Sequence, residues 1–210
     1  FIYLFVALFS VLNPIGTVPI FVGLTQGYTA SERSKTSLVT SINVFIILMI
    51  SFFVGQYVLS FFGITITALR IAGGIIIASS GFSLLNGNFS KNKGINKKVQ
   101  KEVEARQHIA LTPLAMPMLA GPGSISLLIA YYQELGESGS AITSVEILFS
   151  CLAILAVAVL IYIVLRSAHY LAKILGSSGI VAISRIIGFL TIAIGIQYII
   201  SATLSIIRGI

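Results

Sequence analysis

Six long apolar runs, separated by short polar stretches, constrain this chain more than any other feature. They fall near residues 2–25, 38–62, 65–87, 108–132, 144–168 and 180–207. Each reaches the roughly 20 residues that a helix needs to cross a bilayer. In lipid every backbone group must be satisfied internally, which leaves helices or a closed barrel. The runs lack the alternation of barrel strands, so the reading is an all-α membrane protein with six transmembrane helices. Composition agrees: 57% of the residues are hydrophobic and 9% charged, against about 25% charged in a soluble domain. A soluble enzyme, a disordered regulator and a disulfide-built module are thereby excluded, since Cys151 has no second cysteine to pair with.

The charge that remains is one-sided. Lysine and arginine outnumber acidic residues 13 to 6. Lys91, Lys93, Lys97, Lys98, Lys101 and Arg106 all lie in the polar stretch 88–107. With six spans, loops 26–37, 88–107 and 169–179 share one face. They hold Arg33, Lys35, the cluster and Lys173, with Arg166 and Arg185 just inside the flanking helix ends. The positive-inside rule makes that face cytoplasmic and puts both termini outside. Anionic lipid headgroups are the expected partner of these residues; nucleic acid is not. Phe1 already stands inside an apolar segment, so we expect further residues ahead of it.

The two halves echo each other. Leu12-Asn13-Pro14-Ile15-Gly16 answers Ala120-Gly121-Pro122-Gly123-Ser124, and Arg70-Ile71-Ala72-Gly73 answers Arg185-Ile186-Ile187-Gly188. A unit of three spans is odd, so its second copy must enter the membrane upside down, as in secondary transporters. We therefore expect a first repeat over 1–87, a basic loop over 88–107 and a second, inverted repeat over 108–210.

All five prolines (Pro14, Pro19, Pro113, Pro117 and Pro122) lie in spans 1 and 4. Proline removes an amide donor and clashes with the preceding turn, and Asn13-Pro14 and Gly121-Pro122 read as N-cap and first-turn pairs. About twelve residues, or roughly 18 Å of helix, precede each pair, so both breaks should fall near the middle of the ~30 Å core. The second half-helices would then present positive dipole ends and the amides of Gly16, Thr17, Gly123 and Ser124 to a shared centre, attractive to a carboxylate. The first half-helices would end there with spare carbonyls around Leu12 and Ala120, able to accept from an ammonium group. Such a centre suits a small zwitterionic solute.

Asn43, Ser79, Ser80, Thr112, Ser126, Thr191 and Gln197 are also within spans. Polar residues there often join helices to one another, but Asn43 and Gln197 offer donor and acceptor together and are added to the candidate ligand contacts. Arg70 and Arg185 read first as snorkelling anchors, with a gating role as the rival. There is no Asp, and Glu32, Glu102, Glu104, Glu134, Glu137 and Glu146 lie in loops or near span ends. With no central acid–base pair, metal-ligand spacing or phosphate loop, neither enzymatic activity nor a cofactor is expected.

Asn13-Pro14-Ile15-Gly16, Phe62-Gly63-Ile64, Arg70-Ile71-Ala72-Gly73-Gly74, Pro113-Leu114-Ala115-Met116-Pro117, Ala120-Gly121-Pro122-Gly123 and Ala182-Ile183-Ser184-Arg185 resemble the MarC family of prokaryotic inner-membrane proteins through all six spans. The family is grouped with LysE-type exporters, and some members resembling this chain carry small neutral amino acids such as glycine and alanine. The resemblance implies that Asn13, Pro14 and Gly16, with Gly121, Pro122 and Gly123, belong to two discontinuous helices. The expectation is a secondary transporter of such amino acids by alternating access, with H+ or Na+ as a possible coupling ion. A non-transporting scaffold and a passive channel for a small polar solute are the alternatives.

Overall fold

Helix starts follow capping chemistry that is written in the sequence. The computed structural model describes residues 1–25, 27–86, 110, 114–115, 119–137 and 143–208, and the ordered elements among them are all helical. Helix α1 spans Ile2–Leu12 and α2 spans Pro14–Leu24, joined by Asn13. Thr29 and Glu32 form a reciprocal capping box that starts α3, Ala30–Phe61, and the Thr65 side chain caps α4, Ile66–Leu85. Helix α5 runs over Pro122–Glu137. The Glu146 carboxylate accepts from the Thr143 amide at the head of α6, Ser144–Arg166. Helix α7, Ala168–Arg208, contains one non-helical residue, Gly176 at φ 61°.

Two expected loops are therefore mostly helix. The capping box carries α3 back to Ala30, so Arg33 and Lys35 sit in its first turns rather than in a connection. Helix α6 ends at the Ser167 turn, and residues 169–179 lie inside α7, interrupted at Gly176, a glycine whose positive φ other residues rarely adopt. The loop 88–107 with its basic cluster lies outside the described residues, as do Thr112, Pro113 and Pro117.

Four helical segments are long and apolar enough to cross a membrane: α3, α4, α6 and residues Val181–Ile207 of α7. The elements on either side of the prolines are shorter, 11 residues each in α1 and α2 and 16 in α5. Leu4, Leu8 and Leu12 of α1 join Phe52 of α3, Leu127 and Leu128 of α5 and Ile161 of α6 in one buried core. Large apolar residues such as Ile46, Ile50, Leu155 and Phe189 are exposed on the outer faces, the arrangement expected where hydrocarbon is the solvent.

The most extensive helix contact joins α4 to α7. Helix α3 packs on α6, α5 on both α3 and α4, and the α1–α2 pair on α6 and α7. Glycine sets how closely these helices approach. A β-carbon on Gly74 would stand 2.6 Å from the Gly195 carbonyl oxygen, and one on Gly81 2.6 Å from that of Gly188. Without an apolar driving force between helices in lipid, such close backbone approach supplies the association energy.

Candidate functional site

Asn13 is where the first span breaks. Its backbone is left-handed, φ 43° and ψ 65°, a conformation that asparagine tolerates better than most side chains. Its amide closes α1 on the Phe9 carbonyl at 3.0 Å, while its Oδ1 accepts from the Gly16 amide at 3.1 Å and opens α2. Pro14 takes the first helical position, where its missing N–H costs nothing to α2. The same missing N–H orphans the Ser10 carbonyl one turn earlier. Thr191 of α7 answers it: its hydroxyl, 2.8 Å from the Ile187 carbonyl, lies 3.0 Å from Ser10 O.

Capping alters the donor set that the sequence predicted. The Gly16 amide is taken by Asn13, and the Ser124 amide by the Gly121 carbonyl at 3.1 Å. The Thr17 hydroxyl turns back to Asn13 O at 3.2 Å and the Ser124 hydroxyl to Gly121 O at 2.9 Å. What the cap leaves over is Asn13 Nδ2. It is buried in a residue 1% exposed and has no hydrogen-bond partner among the described residues. Reading Asn13 as a cap did not reveal this. The signal was there, because an asparagine cap, unlike serine or aspartate, carries an amide that capping does not use. No donor among the described residues reaches the Leu12 carbonyl.

The second break lies against the first. Gly121 precedes α5, and its carbonyl also accepts from the Ile125 amide at 3.2 Å. Just before it, the Ala120 amide reaches the Ala115 carbonyl at 2.8 Å, one residue further back than in an α-helix. A β-carbon on Gly123 would stand 3.5 Å from Val11 and 3.1 Å from Ile77 of α4. Leu12, Ala120 and Ile77 belong to the same buried cluster. Pro14 is buried while Pro122 is exposed, so the two breaks differ in their surroundings.

The remaining candidates are dispersed. Asn43 is half-buried on α3. Gln197 is on the exposed face of α7 and donates to Ser201 Oγ at 3.3 Å. Ser126 is buried where α5 meets Gly73 of α4. Arg70 and Arg185, aligned in the sequence, have unlike environments. Arg70 is buried and pairs with Glu134 of α5 at 3.5 Å, whereas Arg185 is exposed. A snorkelling anchor keeps its head group in water; Arg70 does not.

Apolar helices long enough to cross a membrane, an apolar outer surface and interrupted short helices define an integral membrane protein. Residues 1–207 match the MarC family of integral membrane proteins, and the chain belongs to that family. It is 39% identical over 209 residues to the UPF0056 inner membrane protein MarC of Escherichia coli ATCC 8739, covering 97% of this chain and 93% of that one. It is 37% identical over 207 residues to the UPF0056 membrane protein YhcE of Escherichia coli K12, covering 98% and 93%. No solved structure matches the chain.

Proposed function

We propose that this protein is a secondary transporter of the inner membrane that carries small neutral amino acids, glycine- or alanine-like, by alternating access. The observation that carries the reading is the buried, unpartnered Asn13 Nδ2 at a helix break with the second break packed against it through Gly123 and Val11. A donor without a partner in an apolar interior costs on the order of 1–3 kcal/mol, a cost that a ligand carboxylate would remove. The open Leu12 carbonyl offers an acceptor for the ammonium end. Glycine at 16 lets the Asn13 amide lie against the backbone, and glycine at 123 lets the second break close on Val11 and Ile77, so only a small ligand fits the reading.

The contact pattern supports six spans in two inverted repeats. Exchanging spans 1, 2 and 3 for 4, 5 and 6 turns each principal helix pairing into another one already present. The glycine contacts behave in the same way. Adding 114 to Gly74 gives Gly188, and adding 114 to Gly81 gives Gly195, so the pairs Gly74–Gly195 and Gly81–Gly188 exchange with each other. That offset is one residue less than the one that aligns Arg70 with Arg185. Under this arrangement the α4–α7 contact lies on the pseudo-two-fold axis, with the broken helices meeting beside it. The basic loops would face the cytoplasm and both termini the outside.

The test is uptake of labelled glycine and alanine into proteoliposomes, with and without imposed proton or sodium gradients. A carrier shows saturation and counterflow. Uptake that neither saturates nor shows counterflow fits a channel, and no uptake above empty liposomes fits a scaffold; either result rejects the proposal.

A further inference from the structure

A second site is built where α3, α6 and the start of α7 meet, at the end of the bundle away from Glu134 and Thr143. Tyr162 of α6 is its centre. Its hydroxyl accepts from Arg166 Nη1 at 2.8 Å, and the Arg166 guanidinium lies 5.7 Å from the Tyr162 ring centroid. Ser34 of α3 reaches the same hydroxyl. Beside Ser34, Arg33 holds a buried Nε with no hydrogen-bond partner among the described residues. His169 of α7 lies within electrostatic range of Arg33. The nearest acid in the sequence, Glu32, is engaged by the Thr29 amide and hydroxyl at 2.7 and 2.8 Å. Arg166 thus meets the Tyr162 hydroxyl directly, Arg33 follows through its neighbour Ser34, and no described carboxylate is bonded to either guanidinium.

An apolar groove of about 530 Å³ leads away from this cluster. It is lined by Phe1 and Phe5 of α1 and by Leu152, Leu155, Val159 and Ile163 of α6. Residues 152, 155, 159, 163 and 166 recur at the three- and four-residue spacing of one helix face, so Arg166 stands one turn beyond the end of the groove. Its walls are open to the surface that faces hydrocarbon, with Phe1, Leu155, Val159 and Ile163 exposed.

We infer that this groove and the arginines above it bind one anionic phospholipid, with the acyl chain along α6 and the headgroup phosphate between Arg33 and Arg166. Guanidinium forks match phosphate oxygens in geometry as well as charge, and an acyl chain matches an apolar groove that ends at the membrane surface. Charge complementarity selects the occupant: a neutral helix or a second apolar surface would leave both arginines unmatched. The site is independent of the amino-acid site at the helix breaks.

The test uses native mass spectrometry of the purified full-length chain in detergent, mixed with equal amounts of phosphatidylglycerol and phosphatidylcholine of identical chain length. The expected result is one retained phosphatidylglycerol, preferred roughly thirtyfold, as two basic contacts at about 1 kcal/mol each provide. The preference disappears in Arg33→Gln/Arg166→Gln, is reduced but retained in Arg33→Lys/Arg166→Lys, where charge remains without the fork, and both lipids are lost when Val159→Trp fills the groove. Should the glutamine pair fail to fold, raising the salt concentration on the unaltered chain must abolish the preference. Equal retention of the two lipids, or displacement of the lipid by millimolar inorganic phosphate, overturns the inference.

Discussion

The hydroxyl of Thr191 lies 3.0 Å from the Ser10 carbonyl, the acceptor that Pro14 deprives of its own helical amide. A side chain from the other half, 181 residues away, thereby reaches the carbonyl that the proline leaves open, sharing its one proton with the Ile187 carbonyl at 2.8 Å. Thr191→Val keeps the shape and removes the donor. We expect a loss of about 1–2 kcal/mol, the upper range for hydrogen bonds within membranes, read as a lower unfolding midpoint in detergent. Ser10→Ala leaves the carbonyl bond intact and should be nearly silent.

The glycine contacts between α4 and α7 predict paired effects. Gly74→Ala and Gly195→Ala each drive a β-carbon to 2.6 Å from backbone oxygen on the opposite helix. Each should cost roughly 1–3 kcal/mol as overpacking that only backbone movement relieves. Gly23→Ala, which meets nothing within 4 Å, should be neutral or stabilising by a few tenths. Titration with sodium dodecyl sulfate distinguishes the three.

Arg70 and Glu134 join α4 to α5 unequally, with side chains 8% and 41% exposed. Losing Glu134 leaves a charge buried, whereas losing Arg70 leaves a carboxylate partly in solvent. Their coupling in a double-mutant cycle of Arg70→Gln and Glu134→Gln should therefore be about 1 kcal/mol, nearer the surface range than the 3–5 kcal/mol of breaking a fully buried pair. A coupling near zero would remove the ion pair as a link between the two helices.

His169 titrates below the ordinary imidazole value, first because burial disfavours its charge and then because Arg33 repels it. Its folded state binds a proton less readily than its unfolded state. The stability it contributes is complete above about pH 6.5 and is lost as pH falls through 6.5 toward its lowered folded value. Unfolding midpoints between pH 5 and 8 should show this loss, and His169→Gln should flatten that part of the profile. Arg166 and Lys173, close in sequence, are held constant in the comparison.

Much of this was legible in the sequence. The apolar runs define a helical membrane protein because lipid permits few other solutions, and Asn13-Pro14 marks the first break because both residues favour that geometry. Helix ends at polar surfaces were less legible. Loop 26–37 looked polar enough to be a connection, yet the Thr29–Glu32 box makes most of it helix. Bare helix ends imply free donors at the breaks, whereas the caps take up the amides of Gly16 and Ser124. Which arginine would be buried also depended on tertiary placement: Glu134 reaches Arg70, and Arg185 is exposed.

The central claim is that a ligand carboxylate completes the hydrogen bonding of Asn13 Nδ2 between the two breaks. The most direct measurement is counterflow of labelled glycine in proteoliposomes containing the unaltered chain or Asn13→Asp. Aspartate retains the oxygen that caps Gly16 but replaces the free donor with negative charge, so the helix break is kept while the carboxylate is repelled. The account predicts that the unaltered chain exchanges glycine and that the Asp variant, which keeps the cap and stays folded in detergent despite the cost of a buried carboxylate, loses at least roughly tenfold in exchange, the equivalent of about 1.4 kcal/mol. Exchange at the original rate and affinity in Asn13→Asp would contradict it.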